Sequence, residues 1–471
     1  MGINSVKQTV LIIAVFAMAA MGAFAQDYSY HAYKNNKDQY AQPLSELLET
    51  ARADLGVTIE IDKNVEPFLS ETVSMAPWKF WDNPELRLAY ILAPLDLSFE
   101  KTGDTSYRVF EPWYQNRPES EGAAHLKRLL RRYPDRASFE QRQACVKAAM
   151  LDALRLNPMP IKTPLNPIYG EEKTFDGYSV VPVAIEVIPR YWLCGSLYRP
   201  TEENGPFAPI ASPHGHGTDG RLSDDNQYRC ATLARMGAFV FSYSMFAWIA
   251  EESPLVREDH RHPISGTMQT LGTIRVIDFL TSLDNADTSR IGITGCSGGG
   301  TQTFFAAALD ERIKVSVPVV MVSSHFFGGC PCESGTPLHT KAQGTCNAEI
   351  AALAAPRPQL LIAVTQDWTN NTPEVEYPYL RSIYEYFDAA DNVEFAIYDE
   401  PHNYGVTKRT AMYPFMAKHL GLDISKADES KVTIQPREDM LVFGKNREKY
   451  PSGAIQNIEE LIEAFDNAPR P

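Results

Sequence analysis

Short apolar runs alternate with segments of helical periodicity over residues 180–417. The apolar runs are predicted strands, and they lie at residues 181–188, 193–198, 210–212, 238–243, 290–294, 315–320, 360–364 and 393–398. Short buried strands separated by helices are typical of a mainly parallel sheet that is covered on both faces. The pattern therefore predicts an α/β fold for this part of the chain.

The pattern is different in residues 27–112. Apolar side chains recur at helical spacing from Leu44 to Leu55, and a short strand is predicted at 57–61. A second helix is predicted at 84–92, followed by a hairpin with strands at 97–100 and 107–110 that turns at Gly103-Asp104. This order predicts a separate small α+β domain.

The remaining segments connect or extend these two regions. Residues 113–170 are predicted to be a connector, because a helical pattern at 119–155 runs into a stretch rich in proline, which cannot continue a helix. The catalytic body is predicted at 171–425. Residues 426–471 are predicted to be a polar C-terminal extension with one helical pattern at 455–465.

The N-terminus has the features of a secretory signal peptide. Lys7 precedes an apolar stretch at 10–20, and Ala23-Phe24-Ala25 fits an Ala-x-Ala-like cleavage site. We therefore expect residues 1–25 to be removed and the mature protein to begin near Gln26, in the periplasm or outside the cell. The alternative is a transmembrane anchor, but the apolar stretch is barely long enough to span a bilayer. No other segment reads as a membrane span.

The net charge bears on the binding partner, and the cysteine content bears on disulfides and metal binding. The net charge of −15 and the absence of a basic stripe argue against nucleic acid. Seven cysteines in an exported protein permit disulfides, and the odd count leaves at least one thiol unpaired. Cys330, Cys332 and Cys346 could include one bridge, and their spacing does not match the usual zinc ligand sets. The sequence predicts no metal and no cofactor.

Gly295-Cys296-Ser297-Gly298-Gly299 lies between a predicted strand at 290–294 and a predicted helix at 301–309. A sharp strand-to-helix turn with flanking glycines holds a serine hydroxyl above the sheet edge, and the next amide faces a developing oxyanion at a helix N-terminus. Ser297 is therefore the predicted nucleophile, and the Gly298 amide is a predicted oxyanion donor. A phosphate-binding turn would require a lysine or an early acidic residue that this segment lacks.

A serine nucleophile needs a base, and the base needs an acceptor that fixes its tautomer. Asp367 follows the predicted strand at 360–364, and His402 follows the predicted strand at 393–398. The order Ser, acid, His along the chain is the one used by α/β-hydrolases. We predict a triad of Ser297, His402 and Asp367, with Glu333 as the alternative acid because it follows the strand after the elbow helix.

A second oxyanion donor is expected in a loop after an early strand. His214-Gly215-His216-Gly217 follows the predicted strand at 210–212, and its glycines would let the backbone come close to a substrate oxygen. The amides of His216 and Gly217 are the predicted donors. Metal binding by these histidines is the weaker interpretation, because no acid or third ligand accompanies them in the sequence.

Three stretches carry a resemblance to known enzymes: "RIGITGCSGGGTQTFFAAALDERIKVSVPVVMVSSHFFGGCPCESG", "LLIAVTQDWTNNTPEVEYPYL" and "DEPHNYG". They resemble bacterial acetyl xylan esterases and glucuronoyl esterases of the α/β-hydrolase superfamily. The resemblance implies hydrolysis of ester groups on plant or algal polysaccharides through an acyl-enzyme. Glucuronoyl esterases place an arginine directly after the nucleophile, whereas this chain has Gly298, which favours a neutral acyl group such as acetyl. No cysteine follows His402 to pair with Cys296 as in some of those enzymes.

The N-terminal unit carries a second resemblance. "LLETARADLGVTIEID" and "LRLAYILAPLDLSFEKTGDTSYRVF" resemble the short N-terminal domain of secretins and TonB-dependent receptors. In those proteins the domain is an interaction module, which implies a protein partner for this segment.

The sequence thus predicts an exported serine esterase acting on an acylated carbohydrate. Three alternatives remain open: a glucuronoyl esterase, a serine peptidase of the prolyl-oligopeptidase kind, and a non-catalytic binding protein whose function resides in the N-terminal unit. The peptidase is disfavoured because the N-terminal unit is too short to form the propeller domain usual in that group.

Overall fold

A computed structural model describes residues 41–74, 82–95, 97–110, 117–202, 205–339, 341–342 and 344–471. The chain divides into two compact units, residues 1–112 and residues 113–471, which are described separately. The predicted signal peptide lies outside the described residues. No helix in the described ranges is long and apolar enough to cross a membrane.

In the described residues of the first unit, two α-helices pack with short strands, and the predicted order of helix, strand, helix and hairpin is confirmed. Its three-stranded sheet has the order β2-β5-β4, with β2 and β5 parallel and β4 and β5 antiparallel. The sequence did not predict the additional antiparallel pair of β1 and β3. The elements are β1 (Ala41–Pro43), α1 (Leu44–Leu55), β2 (Thr58–Ile61), β3 (Thr72–Ser74), α2 (Pro84–Leu92), β4 (Ser98–Gly103) and β5 (Ser106–Phe110).

Burial explains why these residues fold together. Leu44, Leu48 and Ile91 lie at the centre of an apolar cluster formed by both helices and the sheet. Helix α1 ends where Gly56 adopts a left-handed conformation with φ of 64°, which a residue without a Cβ reaches without strain. The resemblance of this unit to a secretin domain stays a prediction.

The second unit is built on a ten-stranded sheet with the order β15-β14-β13-β12-β10-β11-β9-β8-β6, and β7 pairs with β8. Strands β15 through β11 in this order are parallel, and β9, β8, β7 and β6 are added antiparallel. The strands are β6 (Ile168–Tyr169), β7 (Lys173–Phe175), β8 (Tyr178–Ile188), β9 (Tyr191–Pro200), β10 (Ala208–Pro213), β11 (Ala238–Tyr243), β12 (Ile291–Cys296), β13 (Ile313–Val319), β14 (Gln359–Val364) and β15 (Val393–Tyr398). The predicted α/β-hydrolase fold is confirmed.

Helices flank the sheet. They are α3 (Glu119–Arg132), α4 (Arg136–Ala153), α5 (Asp224–Arg235), α6 (Ile264–Thr281), α7 (Gly298–Leu309), α8 (Pro331–Ser334), α9 (Asn347–Ala352), α10 (Tyr377–Glu385), α11 (Val406–Leu420) and α12 (Ile458–Asp466). Every residue of β10, β11 and β14 is buried, as expected for strands covered on both faces. The carboxyl ends of the parallel strands therefore form one edge at which loops can place functional groups.

The segments on either side of the predicted catalytic body pack into its core. The guanidinium of Arg142 on α4 donates to both carboxylate oxygens of Glu349 on α9 at 2.7 and 2.8 Å, in a buried ion pair. Near the C-terminus, Val442 and Phe443 pack against β8 and β9. The second unit thus includes both the connector and the C-terminal extension.

Candidate active site

Ser297 occupies a strained turn between β12 and α7. Its φ of 57° and ψ of −125° lie outside the regions that a non-glycine residue usually adopts. The flanking glycines allow close packing, because a Cβ atom added at either Gly295 or Gly299 would lie 2.5 Å from the carbonyl oxygen of Pro213. Helix α7 begins at Gly298, three residues earlier than predicted. The Gly298 amide is therefore the first of the helix, immediately after the serine, where partial positive charge favours an anion.

His402 and Asp367 are in direct contact. The Nδ1 atom of His402 lies 2.6 Å from Oδ2 of Asp367, whose side chain is 3% exposed. The other carboxylate oxygen of Asp367 accepts hydrogen bonds from the backbone amide and the hydroxyl of Thr369. These bonds fix the carboxylate so that Oδ2 faces the imidazole.

The imidazole is oriented to act as a base. A carboxylate at Nδ1 requires that nitrogen to carry the hydrogen, which leaves the lone pair of neutral histidine on Nε2. The Nε2 atom is buried and has no hydrogen-bond partner among the residues that the structure describes. The loop is anchored to the elbow strand, because the hydroxyls of Tyr404 and Thr294 are 2.7 Å apart.

Glu333, the alternative acid, lies elsewhere. It is buried, accepts the backbone N–H of Gly329 at 2.9 Å and lies 3.4 Å from the Thr301 hydroxyl. Burial raises the pKa of its carboxyl, against the opposing effect of His216. The carboxylate that the structure brings to His402 is that of Asp367.

The His-Gly loop after β10 lies against Ser297. A Cβ atom at Gly215 would be 2.8 Å from the Cys296 carbonyl oxygen and 3.1 Å from the Ser297 Cβ. The loop is held by the imidazole of His214. Its Nδ1 atom lies 2.7 Å from the carbonyl oxygen of Gly215, and its Nε2 atom accepts a hydrogen bond from the backbone amide of Met245. Burial lowers the pKa of His214 to about 3, so the ring is neutral at neutral pH. The backbone of this loop is thus close enough to Ser297 to supply a second oxyanion donor.

The position of Gly298 has no room for a side chain. A Cβ atom there would lie 2.4 Å from the Met245 Cε and 2.6 Å from the His216 Cε1. An arginine at this position would therefore displace the His216 ring. A side chain at this position would have to move the ends of the Met245 and His216 side chains.

The structure also brings together a cluster that the sequence did not predict. It consists of His216, His260, Cys330 and Cys332, whose potential ligand atoms all lie within 4.8 Å of one another. These residues come from three segments far apart in the chain. The Cys330-Pro331-Cys332 spacing was a signal, but no sequence pattern places it beside either histidine.

The bridge that the sequence permitted among Cys330, Cys332 and Cys346 does not form, and all three are free thiols. All seven cysteines are free thiols, including Cys296 beside Ser297. The other two histidines near the elbow in sequence have separate partners. His325 lies 3.1 Å from the Ser323 hydroxyl, and His339 lies 2.8 Å from the Asn347 side-chain oxygen.

The chain is similar to solved structures of esterases. The solved structure of methylesterase BT1017 is 36% identical, with a TM-score of 0.72, and the match covers 90% of this chain and 97% of that one. A glucuronoyl esterase from Solibacter usitatus (15% identity, TM-score 0.46) matches 60% of this chain and 94% of its own. A putative acetyl xylan esterase from Bacteroides fragilis (14% identity, TM-score 0.44) matches 56% of this chain and 76% of its own. The family model described as glucuronyl esterase, fungi, matches residues 262–332. No curated protein sequence matches the chain.

Proposed function

This chain belongs to the family of esterases that includes methylesterase BT1017, and from that premise we propose that it hydrolyses methyl esters with Ser297 as nucleophile, His402 as base and Asp367 as the acid that orients it. The observation that carries the proposal is the 2.6 Å contact between His402 and Asp367 at the same sheet edge as the strained serine turn. The predicted peptidase and non-catalytic alternatives have no such support.

The proposed reaction proceeds in two steps. The Ser297 hydroxyl attacks the ester carbonyl while its proton moves to Nε2 of His402, and the amides of Gly298 and of His216 or Gly217 stabilise the oxyanion. The protonated histidine then gives that proton to the departing alkoxide, so methanol leaves and an acyl-serine remains. Water then attacks the acyl-enzyme while the same histidine takes its proton, and the histidine returns that proton to the Ser297 oxygen as the carboxylic acid is released. No cofactor is needed for either step.

The proposed substrate is a methyl-esterified carboxylate on a carbohydrate, that is, a methyl uronate. The name of the 36% identical relative supports the methyl ester, and the sequence resemblance to carbohydrate esterases supports the sugar. The acyl group is then the sugar acid, and the leaving group is small.

Acetyl esters are the second candidate. The observation in their favour is Gly298, which removes the cation that glucuronoyl esterases place beside a uronate ester, and the His216 ring fills that space. The two candidates differ in product, because a methyl ester releases methanol and an acetyl ester releases acetate. Incubation with methyl-esterified polyuronate and with acetylated xylan, followed by quantification of both products, separates them.

The test of the nucleophile is Ser297→Ala. We expect loss of ester hydrolysis and of labelling by a fluorophosphonate probe, with an unchanged melting temperature. Ser382→Ala is the matched control, because its hydroxyl donates to Pro378 within its own helix at 2.9 Å. Unchanged hydrolysis in Ser297→Ala would refute the proposal, and absence of labelling in the wild-type chain would favour a non-catalytic protein.

We also propose that the enzyme is exported and that the N-terminal unit, residues 27–112, docks a protein partner. The N-terminal signal pattern and the resemblance to secretin domains support these statements. Cell fractionation tests the first. Loss of a co-purified partner upon deletion of residues 27–112, with hydrolysis of a soluble ester retained, tests the second.

A further inference from the structure

The cluster of His216, His260, Cys330 and Cys332 lies beside the elbow. His216 belongs to the loop after β10, His260 to a short turn of helix at Arg257–Arg261, and the two cysteines to the start of α8. His260, Cys330 and Cys332 are buried, with exposures of 1%, 7% and 1%. Two thiols and two imidazoles that converge from three segments form the ligand set of a Cys₂His₂ metal site.

The distances fit a single tetrahedral ion. The two Nε2 atoms of His216 and His260 are 3.3 Å apart, and two nitrogens bound tetrahedrally at about 2.05 Å from zinc would be separated by about 3.3 Å. The Nε2 atom of His216 lies 3.2 Å from the Cys332 Sγ, against about 3.6 Å for an ideal tetrahedral nitrogen and sulfur pair. All four ligand atoms lie within 4.8 Å of one another, against about 3.8 Å for two sulfurs bound tetrahedrally to one zinc ion, so binding would draw the ligands together by at most about 1 Å.

The surroundings orient the ligands as metal sites usually require. The Nδ1 atom of His260 lies 2.6 Å from the carbonyl oxygen of Phe246 and donates to it, which directs the Nε2 lone pair into the cluster. The Trp248 ring packs edge-to-face against both imidazoles, with centroid distances of 5.1 and 4.7 Å. Gly266 on α6 lets α8 approach, since a Cβ atom there would lie 3.3 Å from the Cys332 carbonyl oxygen.

The charge of the deprotonated ligand set matches that of a divalent ion. Two thiolates and two neutral imidazoles carry a charge of −2, which a divalent cation cancels, so the buried site becomes neutral overall. A mixed nitrogen and sulfur set in tetrahedral geometry selects zinc among the common divalent metals. Four protein ligands leave no open position, as in structural zinc sites.

We infer that His216, His260, Cys330 and Cys332 bind one zinc ion, which fixes the His-Gly loop beside Ser297. The ion joins that loop to the turn before α6 and to α8, and the His216 ring it holds lies against Gly298. The positioning role rests on the proposed function, because it concerns the amide of His216 as an oxyanion donor. Zinc binding itself does not depend on catalysis.

The first experiment measures metal without measuring activity. Wild-type protein and Ser297→Ala, purified in zinc-supplemented buffer, are each expected to contain about one zinc ion per chain by plasma mass spectrometry. After chelation, added Co²⁺ is expected to give the visible d–d bands and the near-ultraviolet thiolate charge-transfer band of a tetrahedral site. Failure of the chelated wild-type protein to take up either metal, or a Cys330–Cys332 disulfide in the peptide mass map, would overturn the inference.

Variants assign the ligands. Cys332→Ser and His260→Gln are expected to lose the stoichiometric zinc, whereas Cys346→Ser, which removes a buried free thiol outside the cluster, retains it. Should the ligand variants fail to fold, the Co²⁺ spectrum of the wild-type chain still decides the question. Full zinc content in both folded ligand variants would overturn the assignment.

The positioning role has its own measurement. Zinc-depleted wild-type enzyme is expected to lose at least tenfold in kcat with little change in KM, and to recover when zinc is restored, because an oxyanion donor acts mainly in the transition state. Unchanged kcat with the zinc removed would overturn the positioning role and leave both the metal site and the esterase proposal standing. If Ser297→Ala binds zinc but the wild-type chain hydrolyses no ester, the proposed function fails and the metal site remains.

Discussion

Replacing Asp367 with asparagine should invert the proton arrangement of His402. The oxygen of Asp367 that faces away from the imidazole accepts two donors, the amide and hydroxyl of Thr369. In Asp367→Asn the amide oxygen is expected to keep those two bonds, which turns the NH₂ group towards Nδ1 of His402. Nδ1 must then accept, the hydrogen moves to Nε2, and the imidazole can no longer take the proton of Ser297.

The expected loss is large because this contact fixes the tautomer as well as the charge. A wrong tautomer in a serine triad lowers kcat by about 10⁴-fold, which is about 5 kcal/mol of activation free energy. Folding should be preserved, since asparagine has nearly the same shape and keeps the Thr369 bonds. The melting temperature is therefore the control for structure.

Steady-state hydrolysis of p-nitrophenyl acetate over a range of pH tests this reasoning, with Glu333→Gln as the comparison. Glu333 does not contact His402, so its variant is expected to stay within tenfold of wild-type kcat. If Asp367→Asn kept kcat within tenfold of the wild type while Glu333→Gln lost it, the acid would be Glu333 and the triad drawn from the structure would be wrong.

Three further predictions concern other contacts of the structure, and a fourth concerns the N-terminal signal pattern. Gly299→Ala would place a methyl 2.5 Å from a backbone carbonyl and should cost about 1–3 kcal/mol in stability, with most of the activity; a melting temperature and kcat equal to wild type would contradict this. Arg142→Met should destabilise by about 3–5 kcal/mol because it leaves Glu349 buried without its partner, and the double variant Arg142→Met/Glu349→Leu should recover part of that loss in urea unfolding. Burial lowers the pKa of His339 to about 4. As the pH falls below 6.5, the unfolded chain binds a proton at this histidine before the folded chain does, so the free energy of unfolding is expected to fall by about 3 kcal/mol between pH 6.5 and pH 4. His339→Asn should flatten that part of the profile of stability against pH. Edman sequencing of the secreted protein should begin near Gln26, and an intact Met1 would contradict cleavage.

Much of the fold could be predicted from the sequence where local and global preferences agree. The strands at 238–243 and 393–398 and the helix at 84–92 were predicted with their observed bounds. Helix α7 was predicted to start too late, because Gly298, Gly299 and Gly300 are poor helix formers. Their helical conformation is set by packing of the elbow against β10 and β13, which a local pattern does not contain.

Part of the candidate site could likewise be predicted from the sequence, and part of it could not. The positions of Ser297, Asp367 and His402 followed from strand ends, since parallel strands bring their carboxyl ends to one edge. The choice between Asp367 and Glu333 needed the structure, because both follow a strand and differ only in what they touch. The Cys₂His₂ cluster could not be found from spacing, because its ligands are separated by dozens of residues and the tertiary fold alone brings them together.

The C-terminal segment imposes an order on the biogenesis of the enzyme. Arg221 is fully buried and donates to the carbonyl oxygen of Met440 at 2.8 Å as well as to Glu252. A nascent chain that has not yet reached Met440 leaves this guanidinium incompletely satisfied and β8 and β9 uncovered by Val442 and Phe443. The hydrolase body can thus reach its final packing only after residues 440–443 have been synthesised. A premature stop just before Met440 should therefore yield an aggregation-prone product rather than a shortened but active enzyme.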